Sequence, residues 1–120
     1  MGMTDLASFT ADVRAFSRER DWEKFQDAKS LALAMTGEVG EVVELLQWLR
    51  EAELDEHFAD PERRERIGDE LADVLIYLVR LADVLGVDLG AAAQAKLARN
   101  RLRFPVGGEA SVRGVAPHKR

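Results

Sequence analysis

DPERRERIGDELADVLIYLVRLADVLG, residues 60–86, is the stretch on which the fold turns. Aspartate suits a helix N-cap and proline suits the first helical turn, so Asp60-Pro61 reads as a start. Gly86 reads as a stop, because glycine enters the left-handed conformation that closes helices. Between them Ile67, Leu71, Val74, Leu78, Leu81 and Leu85 recur at helical spacing, which predicts one long amphipathic helix. Upstream, Leu31, Met35, Val39, Val42, Leu45, Leu46 and Leu49 repeat the pattern and predict a helix over about residues 28–52. A polar, acidic link over 53–60 joins the two. A first helix is expected over about 5–20 with Thr4 as N-cap, followed by a connection at 21–27 that carries Trp22 and Phe25. Asp88 is expected to cap a last helix reaching about Arg103. No alternating β-branched run is long enough for a strand. The expectation is an all-α chain of four helices, with residues 1–104 as one domain and 105–120 as a flexible tail.

Composition narrows the function. The chain has 120 residues, 47% hydrophobic and 32% charged, as in an ordinary globular domain. It has no cysteine, which excludes disulfides, thiolate metal sites and thiol catalysis. The net charge is -5, unfavourable for general binding to a nucleic-acid polymer or an anionic membrane. No apolar run approaches the ~18 residues of a membrane span. The N-terminal residues lack a basic segment followed by an apolar one, so a cytoplasmic location is expected.

Four acids stand where core residues belong. At about 100° per residue, Glu38 projects into the apolar sector of its helix, and Glu41 lies about 60° away at the edge. On the long helix Glu70 falls just inside the apolar sector, and Asp73 lies about 60° further out. Carboxylates in such places must be paired, protonated or bound to a metal. Arg63, the nearest basic candidate, is a turn outside. Four oxygen donors converging between helices suit a hard divalent cation, Mg²⁺ or alternatively Mn²⁺.

Glu38-x-x-Glu41, then 28 residues, then Glu70-x-x-Asp73 resembles the signature of the all-α nucleotide pyrophosphohydrolases, the MazG-like superfamily. GEVGEVVELLQW at 37–48, ERDWEKF at 19–25, DELADVLIYLVRLADVLGVDL at 69–89 and K-x-x-x-N-R-x-R-F-P from Lys96 to Pro105 resemble its dCTP pyrophosphatase branch. The chain departs from the animal members at Val13, where they have histidine, and at residues 26–30, Gln-Asp-Ala-Lys-Ser.

The resemblance implies a helical bundle that assembles into a homo-oligomer, a tetramer before a dimer. It also implies cleavage of a nucleoside triphosphate into monophosphate and pyrophosphate. Glu38, Glu41, Glu70 and Asp73 would hold the metal, and Glu41 is the choice for general base. Lys96 and Asn100, four residues apart on one helix face, would hold the phosphate chain, with Arg103 three further on. Tyr77 follows Asp73 by four residues, on the metal face, with its hydroxyl toward phosphate, sugar or the rim of the core. Trp22 and Trp48 would line a base pocket, the alternative being core or interface aromatics. A second apolar strip on the long helix, Ala72, Ile76 and Val79, is either a contact surface or more intrachain packing. The expected activity is hydrolysis of dCTP or a modified dCTP. The alternatives are dUTP or broad noncanonical nucleotides, and, in another class, a non-catalytic nucleotide-binding or assembly module.

Overall fold

A computed structural model of the chain describes residues 5–107, so the segment beyond Gly107 lies outside the described residues; the first helix is capped by Asp5, whose carboxylate reaches the Ser8 N–H, and not by Thr4 as expected. Those residues form five α-helices and no strand: α1 (Leu6–Glu19), α2 (Ala28–Leu46), α3 (Leu54–His57), α4 (Pro61–Leu85) and α5 (Leu89–Arg103). Short 3₁₀ turns fill Glu23–Phe25 and Glu51–Glu53. The chain divides into two compact units that part between Val87 and Asp88. The first holds α1 to α4 and the second holds α5.

Each long helix begins on an aspartate. The carboxylates of Asp5, Asp27, Asp60 and Asp88 accept from the backbone N–H groups of Ser8, Ser30, Arg63 and Ala91 at 2.7, 2.8, 3.1 and 3.0 Å. Each bond satisfies one of the N–H groups that a helix start leaves unpaired. Gly86 closes α4 in the left-handed region at φ 71°, as the sequence predicts.

Two expectations are corrected. α2 stops at Leu46, not near Ala52, so Leu49 and Trp48 leave the helix. The link expected over 53–60 is partly helical, because α3 forms inside it.

α2 packs most extensively on α4, and α1 also packs on α4. Among the described residues, Val13, Leu31, Val79 and Ala82 are the buried apolar ones. Val79 therefore belongs to the core, and Ile76 shares an apolar groove with Phe9, Val13 and Phe16 of α1. The second strip thus divides: Val79 is core, Ile76 borders the groove with α1 while 38% exposed, and Ala72 is exposed. Part of the expected core sector is instead open: Val39, Val43 and Leu46 on α2, and Leu71, Leu75 and Leu78 on α4, are exposed in two stripes of i, i+4, i+7 spacing.

A part-buried ion network ties α1 to α4. Arg14 donates to both oxygens of Asp83 at 3.0 and 2.5 Å. Arg80, buried at 6% exposure, donates from Nη1 to Asp83 Oδ2 at 2.7 Å. No helix of the described residues is long and apolar enough to cross a membrane.

Candidate metal centre and adjoining cavity

Glu70 and Asp73 are three residues apart on α4 and so share a face. Across from them stands Glu38 of α2. One carboxylate oxygen from each of the three lies within 4.8 Å of the others. All three residues are half-buried. Two like charges about 5 Å apart repel by roughly 3 kcal/mol at an effective dielectric of about 20. Against this the described residues offer one cation: Arg66 donates from Nε to Glu70 Oε1 at 3.4 Å, a long bond. Arg66, rather than Arg63, is thus the neighbouring base. Burial pushes the Glu38 carboxyl above its ordinary value, and the charges of Asp73, Glu70 and Glu41 push it further. One cation against three carboxylates leaves the charge of the trio only partly offset.

That donor set fits a hard divalent cation. Mg²⁺ takes oxygen ligands at about 2.0–2.1 Å, so neighbouring oxygens around it stand about 3 Å apart and opposite ones about 4.2 Å, and three carboxylates from two facing helices supply donors of that kind. Glu41 is exposed and outside the close trio, near enough to act on Glu38 by charge.

One turn along the same two helices a cavity of about 230 Å³ opens, lined by Trp22, Phe25, Gln26, Ser30, Leu31, Ala34 and Tyr77. Ala34 precedes Glu38 by four residues on α2, and Tyr77 follows Asp73 by four on α4. Each pair is about one turn apart, so the cavity and the acids adjoin. The volume is below the ~300 Å³ lower end for drug-sized ligands, so it admits part of a ligand. Trp22 and Phe16 pack in a T-shaped arrangement with ring centroids 5.5 Å apart, and Trp22 remains 44% exposed, leaving ring surface open.

The sequence-predicted residues therefore separate. Glu38, Glu70 and Asp73 come together, and Trp22 and Tyr77 line one cavity. Trp48 is 86% exposed beyond the end of α2 and does not line that cavity. Lys96, Asn100 and Arg103 lie on α5 in the second unit, the first two half-buried. Arg103 lies 5.2 Å from the centroid of the Phe104 ring. Sequence reasoning missed the part played by Arg80, which donates from Nε to Gln26 Oε1 at 2.8 Å. An arginine in a largely apolar helix segment, LIYLVRLADVL, with Asp83 three residues on as its one opposite charge, was its signal.

The MazG-like family model matches residues 33–113, and the chain belongs to that family. It is 48% identical over 91 residues to dCTP pyrophosphatase 1 of Rattus norvegicus, covering 76% of this chain and 54% of the rat protein. With dCTP pyrophosphatase 1 of Homo sapiens the identity is 47% over 90 residues, covering 75% and 53%. The chain thus spans about half the length of the curated relatives it matches. Among solved structures, a pyrophosphatase from Archaeoglobus fulgidus DSM 4304 superposes with a TM-score of 0.72 at 34% identity, covering 88% of this chain and 96% of that one.

Proposed function

We propose that the chain is a divalent-metal-dependent nucleoside triphosphate pyrophosphohydrolase that converts dCTP, or a modified dCTP, to the monophosphate and pyrophosphate. The observation that carries this reading is the acidic trio one helical turn from an aromatic cavity. The similarity to dCTP pyrophosphatases supplies the substrate class. Residues 1–104 act as the working domain, in the cytoplasm, to clear unwanted nucleotides from the pool.

Glu38, Glu70 and Asp73 hold the cation, Mg²⁺ by preference, with Glu41 completing the set. Once bound, the cation offsets phosphate charge and makes water more acidic. Glu41, exposed beside the trio, accepts the proton of the attacking water. Trp22 stacks on the base, and Tyr77 stands between base and phosphates. Trp48 contributes to base binding from outside the intrachain cavity. Lys96, Asn100 and Arg103 bind the phosphate chain as point charge, amide donor and guanidinium.

The test is release of pyrophosphate and monophosphate from a panel of nucleoside triphosphates in Mg²⁺ and in EDTA. Equimolar products, with dCTP or a modified dCTP fastest and activity lost in EDTA, are expected. Single-phosphate release, or no turnover, overturns the reading.

Trp22→Ala tests the base site. Base stacking is worth about 1–3 kcal/mol, so KM for dCTP is expected to rise about 5- to 150-fold, with a smaller change in kcat. An unchanged KM removes Trp22 from the site.

The open stripes on α2 and α4 support a homo-oligomer, a tetramer before a dimer, because exposed apolar stripes of helical spacing call for a partner surface. Sedimentation at micromolar concentration is expected to give a multiple of 13.4 kDa. Leu75→Glu is expected to shift it toward the monomer.

A further inference from the structure

Gln26 lines the cavity beside Trp22 and Tyr77, and its amide has one permitted orientation. Arg80 Nε lies 2.8 Å from its Oε1. A guanidinium has five N–H donors and no acceptor, so the amide atom facing it must be the oxygen. A flipped amide would set donor against donor. The opposite end, Nε2, carries two hydrogens and makes no hydrogen bond among the described residues. It is not sealed away, since no side-chain polar atom among the described residues is both buried and unpartnered.

Arg80 cannot drift. Its side chain is 7% exposed, and its Nη1 donates to Asp83 Oδ2 at 2.7 Å. Asp83 is gripped in turn by both donors of Arg14. The line Arg14–Asp83–Arg80–Gln26 crosses from α1 through α4 to the turn before α2. It fixes one amide at the wall of one cavity.

We propose that Gln26 is a specificity-determining residue that offers N–H donors to the base edge, and that Arg80 is the positioning residue that keeps it a donor. This rests on the reading of the cavity as the base site. Cytosine presents N3 and O2 as neighbouring acceptors. Uracil and thymine carry a hydrogen on N3, so a fixed donor meets a donor there. A donor opposed by a donor at the base edge is costly, and the amide cannot rotate to relieve it. The selected ligand class is a pyrimidine nucleotide with an acceptor at N3.

The experiment compares kcat/KM for dCTP and dUTP in wild type, Gln26→Glu and Arg80→Met, all with Mg²⁺ and with pyrophosphate release as the signal. Gln26→Glu keeps the contact to Arg80 and turns the exposed end into an acceptor. It is expected to lower the dCTP:dUTP ratio by at least about 10-fold, with dUTP improving in absolute terms. Arg80→Met frees the amide to present either end, and is expected to narrow the same ratio while Asp83 stays paired with Arg14. Thermal melts of each variant identify loss of fold. If Arg80→Met does not fold, Gln26→Glu decides alone. An unchanged ratio in a folded Gln26→Glu variant, or an equal fall for both substrates, overturns the inference and leaves the proposed reaction standing. No pyrophosphate release from any nucleotide by the wild type overturns both.

Discussion

Glu38→Ala is expected to lower kcat/KM for dCTP by more than about 100-fold, because losing a direct ligand should exceed the 10–100-fold seen for outer-sphere partners. The same change is expected to leave the metal-free chain as stable as before or more so. Glu38 is half-buried among Glu70, Asp73 and Glu41, whose charges and whose surroundings disfavour its ionised form. Removing it relieves a repulsion and lets an apolar methyl face its neighbours. The two effects separate in one pair of measurements. The thermal midpoint without metal should hold or rise, and the rise that wild type shows on adding Mg²⁺ should vanish. A variant that loses activity because it has unfolded would contradict a functional origin for this acid.

Asp83→Leu is expected to act in the opposite sense, through stability rather than chemistry. Asp83 is the one anion bonded to Arg80 among the described residues, and both side chains are nearly buried, at 12% and 7% exposure. Breaking a buried pair by removing one member costs about 3–5 kcal/mol, since the charge left behind, here held only by the neutral Gln26 amide, has no counter-charge. At several degrees per kcal/mol the melting midpoint should fall by more than about 10 °C. Asp83→Leu combined with Arg80→Met should recover much of the loss. The hydrogen bond from Arg14, helped by the charges of Arg14 and Arg80, holds the Asp83 carboxyl below its ordinary value of 3.8. A carboxyl depressed in the folded state contributes stability that is complete above its unfolded value and is lost as pH falls through the folded one. Acid titration should therefore weaken wild type from about pH 4 downward. That component should be missing in the double variant.

The parts that the sequence foretells are those decided locally. Asp60-Pro61, Gly86 and Asp88 act within a turn of themselves, and α4 begins and ends, and α5 begins, where they indicate. The end of α2 is different. Leu45, Leu46 and Leu49 keep helical spacing although the chain leaves the α-helix after Leu46, so periodicity runs on past the hydrogen bonds. Trp48 is displaced from its expected helix face for that reason. In the site, Glu38, Glu70 and Asp73 follow from helical angle alone, because two antiparallel faces suffice to bring them together. Glu41, at the sector edge, was harder to place, since a few degrees of helix rotation decide whether an edge residue enters. Arg14, Arg80 and Gln26 were not foreseen as one network. Arg14 and Asp83 are 69 residues apart, and Arg80 and Gln26 are 54 apart. No local rule couples such pairs. The aromatic cavity stands between: Trp22 and Tyr77 were expected at a nucleotide, but their sharing of one wall comes from packing.

The aspartate caps make chain length, as well as residue type, a condition of the acidic trio. Asp27 sets where α2 begins and Asp60 sets where α4 begins, so each acid's direction is counted from its own cap. One residue inserted between Asp60 and Glu70 turns Glu70 and Asp73 by about 100° about the helix axis and carries both out of reach of Glu38. The same insertion between residues 47 and 59 leaves both counts intact. Insertions and deletions should therefore accumulate in the α2–α4 connection and be purged from 28–38 and 61–73, even at positions where almost any side chain is tolerated.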